Sequence, residues 1–292
     1  MVWLPASRWR TQRLSGLPPA AAGDAAFRIF CTPAVSQWRH PQHGKLVDRA
    51  RYHLRSAERM RIQTPVGEMQ TYRFKPDGST SGTVLIVHGW TSEASFMAAL
   101  SEAVRRAGFN VVLLDMPAHG ISALRSTNLI DCARAVVAVG QEIGPLHGVV
   151  AHSFGGMVAL LALEGGRPLS GRLEAKRAVL MSCPNRIAEI TRLFARHWHL
   201  DDAGLRAFER RLERIGQRSI DDFTSVKLLA ACDVSALIVH ARDDDAVPFA
   251  AAQEIVDQTA CAQLKAFDGL GHRNILFAPQ VARAVVGFLR HA

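Results

Sequence analysis

Long apolar runs are missing from this chain of 292 residues, although 48% of them are hydrophobic. A membrane-spanning helix needs about 18 or more consecutive apolar residues, so no stable membrane insertion is expected. Cysteine is sparse and unpatterned. Cys31, Cys132, Cys183, Cys232 and Cys261 are scattered with no two-residue spacing, and an odd count fits neither a disulfide framework nor a zinc site. Reduced thiols in a cytoplasmic protein are the expectation. No secretion signal is expected either: Arg8, Arg10 and Arg13 are followed by Gly16, Pro18, Pro19, Gly23 and Asp24, which leave no continuous apolar segment. Internal repeats and low-complexity tracts are absent.

Charge of one sign is in excess. The net charge of +9 is concentrated in residues 38–62, where Arg39, Lys45, Arg49, Arg51, Arg55, Arg59 and Arg61 face only Asp48 and Glu58. Leu46, Ala50, Leu54 and Ala57 recur there at helical spacing, which predicts an amphipathic helix with a solvated basic face. The segment is sparse in aromatics, with only Trp38 and Tyr52, and carries no nucleic-acid-binding motif, so no nucleic-acid partner is expected. Ahead of it, residues 1–25 carry Pro, Gly and Ala without periodicity and are read as a loose arm, or as translation begun upstream of the true start.

From about residue 60 short apolar runs alternate with helical segments. The stretch 60–74 reads as two strands around Pro65-Val66-Gly67, and "TVLIVHG", "FNVVLLD", "GVVAH", "AVLMSC", "ALIVHA" and "AQLKAFD" read as buried strands. Helical patterns lie between them, at "SFMAALSEAVRRAG", "LIDCARAVVAVGQEI", "MVALLALE", "AAQEIVDQ" and "PQVARAVVGFLR". This predicts an α/β fold with a mostly parallel sheet covered on both faces. The alternation breaks once, at residues 185–233, where Leu205, Phe208, Leu212 and Ile215 form an amphipathic stripe capped by Asp201 or Asp202. That segment is read as a helical insertion at the carboxyl edge of the sheet, the side on which open α/β sheets place ligands. The expected organisation is therefore an arm at 1–25, a basic extension at 26–62, a core at 63–184 and 234–292, and the insertion.

One stretch raises a chemical question. In "GVVAHSFGGMVALLALE" a strand runs into Ser153, two glycines follow, and a helix begins. A nucleophile on such a sharp turn projects off the edge of the sheet, provided that its neighbours are small. Gly155 and Gly156 meet that need. The Gly-x-Ser-x-Gly pattern is departed from at Ala151, the next smallest side chain. Serine is a poor nucleophile unless an imidazole takes its proton, and the imidazole needs a carboxylate to fix its tautomer. Two later strand-end loops carry those groups: "ARDDDAVP" offers Asp243, Asp244 and Asp245, and "GLGH" offers His272.

The chain here resembles the α/β-hydrolase family, in particular its serine esterase and lipase-like members. The resemblance covers roughly residues 66–290 and rests on "VHGW" (87–90), "DMPAHGIS" (115–122), "AHSFGG" (151–156), "ARDDDAVP" (241–248) and "GLGH" (269–272), in that order. It implies the α/β-hydrolase fold with a helical cap insertion, a Ser153–His272–Asp244 triad and no cofactor. Asp244 is selected because the family's acid lies four residues before the Pro of Val-Pro, here Pro248. The resemblance also implies an oxyanion hole made by the backbone N–H groups of Trp90 and Phe154, and a small-molecule acyl ester as substrate. A serine at the elbow speaks against dehalogenase and epoxide hydrolase chemistry, which use an aspartate there.

Cleavage of a carboxylic ester or a thioester through an acyl-enzyme is the expected activity; the same triad would serve a peptidase or amidase, a carbon–carbon hydrolase or an acyltransferase, and a hydrolase fold without turnover would be a binding module. His88, His119, His152 and His240 lack metal-ligand spacing and are expected to make local hydrogen bonds. His119 is a candidate for the pocket wall. Trp198, in "FARHWHL", is a candidate lid contact, whereas His197 and His199 are expected to belong to a packed helix.

Overall fold

The computed structural model describes residues 14–33 and 50–290. Eight strands form one sheet in the order β1-β2-β4-β3-β5-β6-β7-β8. They are β1 (Glu58–Thr64), β2 (Gly67–Phe74), β3 (Thr83–Val87), β4 (Asn110–Leu114), β5 (Leu146–His152), β6 (Ala175–Met181), β7 (Ser235–Ala241) and β8 (Ala262–Phe267). β1 and β2 make an antiparallel hairpin, β2 meets β4 antiparallel, and every pairing from β4 through β8 is parallel. All loops that follow the parallel strands therefore open on one rim.

The alternation of side chains along a strand divides the core in two. Leu85, Val87, Val112, Leu114, Val149 and Ala151 face one side, with helices α3 (Leu129–Ile143) and α4 (Phe154–Glu164) laid over them. Val84, Ile86, Val111, Leu113 and Val150 face the other, under α2 (Ala98–Arg106) and α10 (Pro279–Arg290). Strands covered on both faces have no polar side to present, which is why they read as continuous apolar runs.

Between β6 and β7 the chain leaves the alternation, as expected. It forms α5 (Ile187–His197), α6 (Asp202–Gly216), a single turn at Ile220–Asp222 and α7 (Ser225–Ala230). Asp201 caps α6, its carboxylate accepting the Gly204 N–H at 2.7 Å. α7 anchors the segment by burying Leu228 and Leu229 in the main core. The remaining helices are α8 (Phe249–Gln258), packed on β7 and β8, and the short α9 (Gly271–Asn274).

Two N-terminal expectations are corrected. Of the arm expected at 1–25, residues 1–13 lie outside the described residues, but Pro19–Phe30 form helix α1. Pro18 and Pro19 open it, with a proline in the first turn where no N–H partner is needed. Its buried face is Ala22, Gly23, Ala26 and Phe30, against α6. Small residues carry little hydrophobic signal, so this face has no visible period in the sequence. A methyl group on Gly23 would stand 2.7 Å from the Ala207 Cβ, a crossing only glycine permits.

In the basic segment, residues 38–49 lie outside the described residues. Among the described residues the chain is helical at 50–53, passes through the short turn at Leu54–Ser56, and then becomes the edge strand β1 rather than continuing as a helix. From Glu58 onward a period of two wins over 3.6: Met60 and Ile62 turn inward while Arg59 and Arg61 face solvent. Charge on an exposed edge strand also discourages pairing with another chain.

Candidate active site

The elbow is local geometry. β5 ends at His152 and α4 begins at Phe154, so the whole reversal falls on Ser153, held at φ 54° and ψ −126°. Such a conformation costs an L-residue about 1–3 kcal/mol and persists only where its surroundings insist. They do. The Ser153 N–H donates to the Met181 carbonyl at 2.8 Å, extending the β5–β6 ladder, and the Gly156 N–H donates to the Ser153 carbonyl at 2.8 Å. A methyl on Gly155 would lie 2.3 Å from the His88 carbonyl oxygen, and one on Gly156 would lie 2.5 Å from the Cys183 sulfur. Ala151, paired to Val87 and Leu180 and fully buried, leaves the turn intact.

Two strand-end loops reach this serine. His272 sits in α9, after β8, with its Nε2 3.1 Å from the Ser153 Oγ. Its Nδ1 is 2.9 Å from Oδ2 and 3.1 Å from Oδ1 of Asp244, in the loop after β7. The three neighbouring aspartates have separate environments. Asp244 is buried and also accepts the N–H groups of Ala246 and Val247 at 2.9 and 2.8 Å. Asp243 is exposed and holds the histidine loop, accepting the N–H groups of Leu270 and Gly271 at 3.2 and 3.1 Å. Asp245 is exposed. Burial pushes the Asp244 carboxyl up, but the hydrogen bond and charge of His272 and the two backbone donors outweigh it and bring the group down to about 2. It is a carboxylate across the ordinary pH range.

The other histidines make local hydrogen bonds, as expected. His152 holds the loop that carries His272, its Nε2 2.9 Å from the carbonyl oxygen of His272. Burial, followed by the His272 charge, drives His152 down to about 3, so it is neutral. His240, lowered chiefly by burial, lies with Nε2 2.9 Å from the Val247 carbonyl. His88 accepts the Met116 N–H at 3.0 Å, and His119 accepts the Thr91 N–H at 3.2 Å. Burial lowers His119 to about 4. The neutral ring donates from Nδ1 to the Pro117 carbonyl at 2.9 Å, which leaves Nε2 as the acceptor for Thr91. Thr91 itself is in the left-handed region at φ 55°. His119 thus fixes the peptide that follows Trp90.

The Trp90 loop adjoins the elbow: a methyl on Gly89 would be 3.1 Å from the Ser153 Cβ, and the Trp90 and Phe154 rings meet edge-on at 4.9 Å. Phe154 is the first residue of α4, where a helix leaves backbone N–H groups without internal partners. The loop is braced from beneath by Asp115, which accepts the N–H groups of Ala94 and Ile121 at 2.8 and 3.1 Å and the Tyr72 hydroxyl at 3.2 Å. Burial raises the Asp115 carboxyl to about 6, the backbone donors pulling the other way.

An apolar cavity leads away from Trp90 and Phe154 beneath the insertion. Ile187, Ile190, Leu212, Ile215, Ile220 and Phe223 wall it from above, Thr127–Ile130 from the core, and Phe30 from α1. Sequence reasoning anticipated Leu212 and Ile215 as apolar faces but assigned none of these residues to a pocket. The two candidates it did name stand elsewhere. His119 lies one layer behind, edge-on to Trp90 at 5.2 Å. Trp198 is buried with Phe194, Phe208, Leu14 and Phe30, where the insertion meets α1, because its backbone terminates α5 on that side. His197 and His199 are exposed on the same turn. Among the described residues no three His, Cys, Asp or Glu side chains are grouped to hold a metal ion.

Residues 84–285 match the model of the alpha/beta hydrolase family, and the chain belongs to that family. None of the curated proteins compared with it matches in sequence. Among solved structures, an esterase from Pyrococcus furiosus is similar with a TM-score of 0.62 and 18% identity, over 82% of this chain and 94% of that one. Est1E from Butyrivibrio proteoclasticus, determined with ferulic acid bound, superimposes with a TM-score of 0.60 and 19% identity, over 79% and 96% of the two chains. A serine hydrolase involved in carbazole degradation gives 0.58 and 16%, over 80% and 99%. Identities this low speak to the fold. Among the described residues no helix is long and apolar enough to cross a membrane.

Proposed function

We propose that this protein is a serine hydrolase that cleaves carboxylic esters through an acyl-enzyme. The observation that carries the reading is the single line of contacts from Ser153 Oγ through His272 to Asp244, at 3.1 and 2.9 Å. Ser153 Oγ attacks the ester carbonyl carbon while its proton passes to His272 Nε2. Asp244 accepts the hydrogen bond from Nδ1–H, keeps Nε2 free to take that proton, and stabilises the imidazolium.

The carbonyl oxygen, now negative, is met by the N–H groups of Phe154 and Trp90; one donor of this kind is worth about 2.7–4 kcal/mol of transition-state stabilisation. The C–O bond to the leaving group breaks, and the alkoxide takes the proton from His272. Water then attacks the Ser153 ester, with His272 again accepting a proton and returning it to Oγ. The insertion acts as a cap that excludes water and contacts the acyl group. The esterases among the structural neighbours support ester chemistry, and the five free thiols support a reducing, cytoplasmic setting.

The test is hydrolysis of p-nitrophenyl acetate and butyrate beside an anilide of the same acyl group. Esters should turn over, anilides should not, and Ser153→Ala should remove the ester activity. Ester turnover unchanged in Ser153→Ala would refute the reading.

A further inference from the structure

We infer that helix α1, which lies outside the matched region 84–285, completes the acyl pocket, and that Phe30 limits the length of unbranched hydrocarbon chain it accepts. The inference rests on the acyl-enzyme reading.

Away from the Trp90 and Phe154 end, the polar side chains that line the cavity are already engaged. Its polar linings are Thr127 and Asn128. Asn128 is spent at the start of α3, its Oδ1 accepting the Asp131 N–H at 3.0 Å and its Nδ2 donating to Asp131 Oδ2 at 2.7 Å. The Thr127 hydroxyl is 3.3 Å from the Cys132 sulfur. A charged or hydroxylated acyl chain would enter with its own groups unsatisfied, at a cost of about 1–3 kcal/mol each. An aliphatic chain loses nothing.

Phe30 stands between that cavity and a second apolar cluster. Its ring meets Phe194 and Phe208 edge-on, at centroid distances of 5.2 and 5.1 Å, within the cluster that holds Leu14, Ala26 and Trp198. Removing the ring therefore extends an apolar space into another apolar space.

The wall is fixed in place from both sides of the cavity. On the core side, the Thr127 N–H donates to the Cys31 carbonyl, one residue beyond Phe30, at 2.7 Å. On the insertion side, the Leu14 N–H donates to the Trp198 carbonyl at 3.2 Å, Asp24 pairs with Arg211, and Gly23 lets α1 settle on Ala207. α1 is thus a strap that ties the insertion to the core and fills the seam with one aromatic ring.

The experiment compares kcat/KM for p-nitrophenyl esters from acetate to laurate in wild type, Phe30→Ala, Phe30→Leu and Phe27→Ala. Each variant's fold is checked by circular dichroism and by labelling with a fluorophosphonate. Phe30→Ala should raise the decanoate-to-butyrate ratio about 10-fold or more, and Phe30→Leu should move it the same way by less. Phe27, on the same helix but set 5.1 Å beneath the Arg211 guanidinium, should leave the wild-type profile when changed to Ala. The Leu variant carries the test if Phe30→Ala does not fold.

A wild-type profile in folded, labelled Phe30 variants overturns the inference, as does an equal shift in Phe27→Ala. Binding of 2-alkanones of increasing length, read by intrinsic tryptophan fluorescence, separates the two claims. If no ester turns over, yet longer ketones bind more tightly to the Phe30 variants, the pocket wall stands and the acyl-enzyme reading falls.

Discussion

The rim of the sheet and the roof above it are held by different forces. At the rim the residues of the proposed relay have directional partners: Ser153 is bent by ladder hydrogen bonds and by two glycines with no room for a methyl, and His272 is gripped at both ring nitrogens. The roof of α5, α6 and α1 meets the cavity through Ile, Leu and Phe alone. Directional contacts fail abruptly when one atom is lost, whereas apolar contacts fail in proportion to the volume lost. One region should therefore answer to substitution as a switch, the other as a dial.

The switch is tested first. Ser153→Ala and His272→Ala should each lower kcat for p-nitrophenyl butyrate by at least about 10⁴-fold. Asp244→Asn should follow at about 10³–10⁴-fold, because the amide favours the wrong tautomer of His272. Asp245→Asn should stay near wild type, and a large loss there would place the acid one residue away.

A smaller effect concerns the floor of the Trp90 loop. The unfolded chain ionises Asp115 near the usual 3.8, while the folded chain keeps its proton to about 6. Between those values the folded state binds the extra proton, so the contribution of Asp115 is fully present below about 4 and is lost as pH rises through about 6. Urea unfolding of wild type against Asp115→Asn, from pH 3 to 7, should show the difference in stability moving against wild type by roughly 2–3 kcal/mol, with no change above pH 7.

His119 comes next. Its Nε2 holds the peptide that follows Trp90, adjacent to the peptide that carries the proposed Trp90 donor, so His119→Ala should lower kcat about 10-fold or more with little change in KM, and His119→Gln, which restores an acceptor, should recover most of the loss. The smallest effect belongs to the roof. Leu212→Ala should alter preference among acyl lengths by less than about 10-fold while fluorophosphonate labelling persists.

The same contrast governs how much could be read in the sequence. Rim features are local. A strand, a serine and two glycines adjoin in the chain, and strand-end loops after parallel strands share one edge by topology, so Ser153 and His272 were legible. Among the three aspartates, local pattern alone was not enough: the family's Val-Pro spacing pointed to Asp244, and burial with two backbone donors is what sets that residue apart. Roof features are tertiary. Phe30 shares the cavity with Leu212 only because Ala22, Gly23 and Ala26 let α1 lie on α6, and a face of small residues has no hydrophobic period to find. Trp198 misled for the same reason, since its size suggests a substrate contact while its position at the end of α5 buries it behind Phe194. In the basic segment the spacing of Leu54 and Ala57 suggested a helix, but the chain is already extended at Ala57, and the alternation from Glu58 onward was the stronger signal.

The most direct test of the proposed Ser153–His272–Asp244 relay is reaction with a fluorophosphonate followed by peptide mass spectrometry. The Ser153 Oγ should displace fluoride from phosphorus, with His272 taking the proton, to give one adduct per chain on the peptide containing Ser153 and none in Ser153→Ala. A folded wild-type protein that takes up no label, or a Ser153→Ala variant labelled to the same extent, would contradict it.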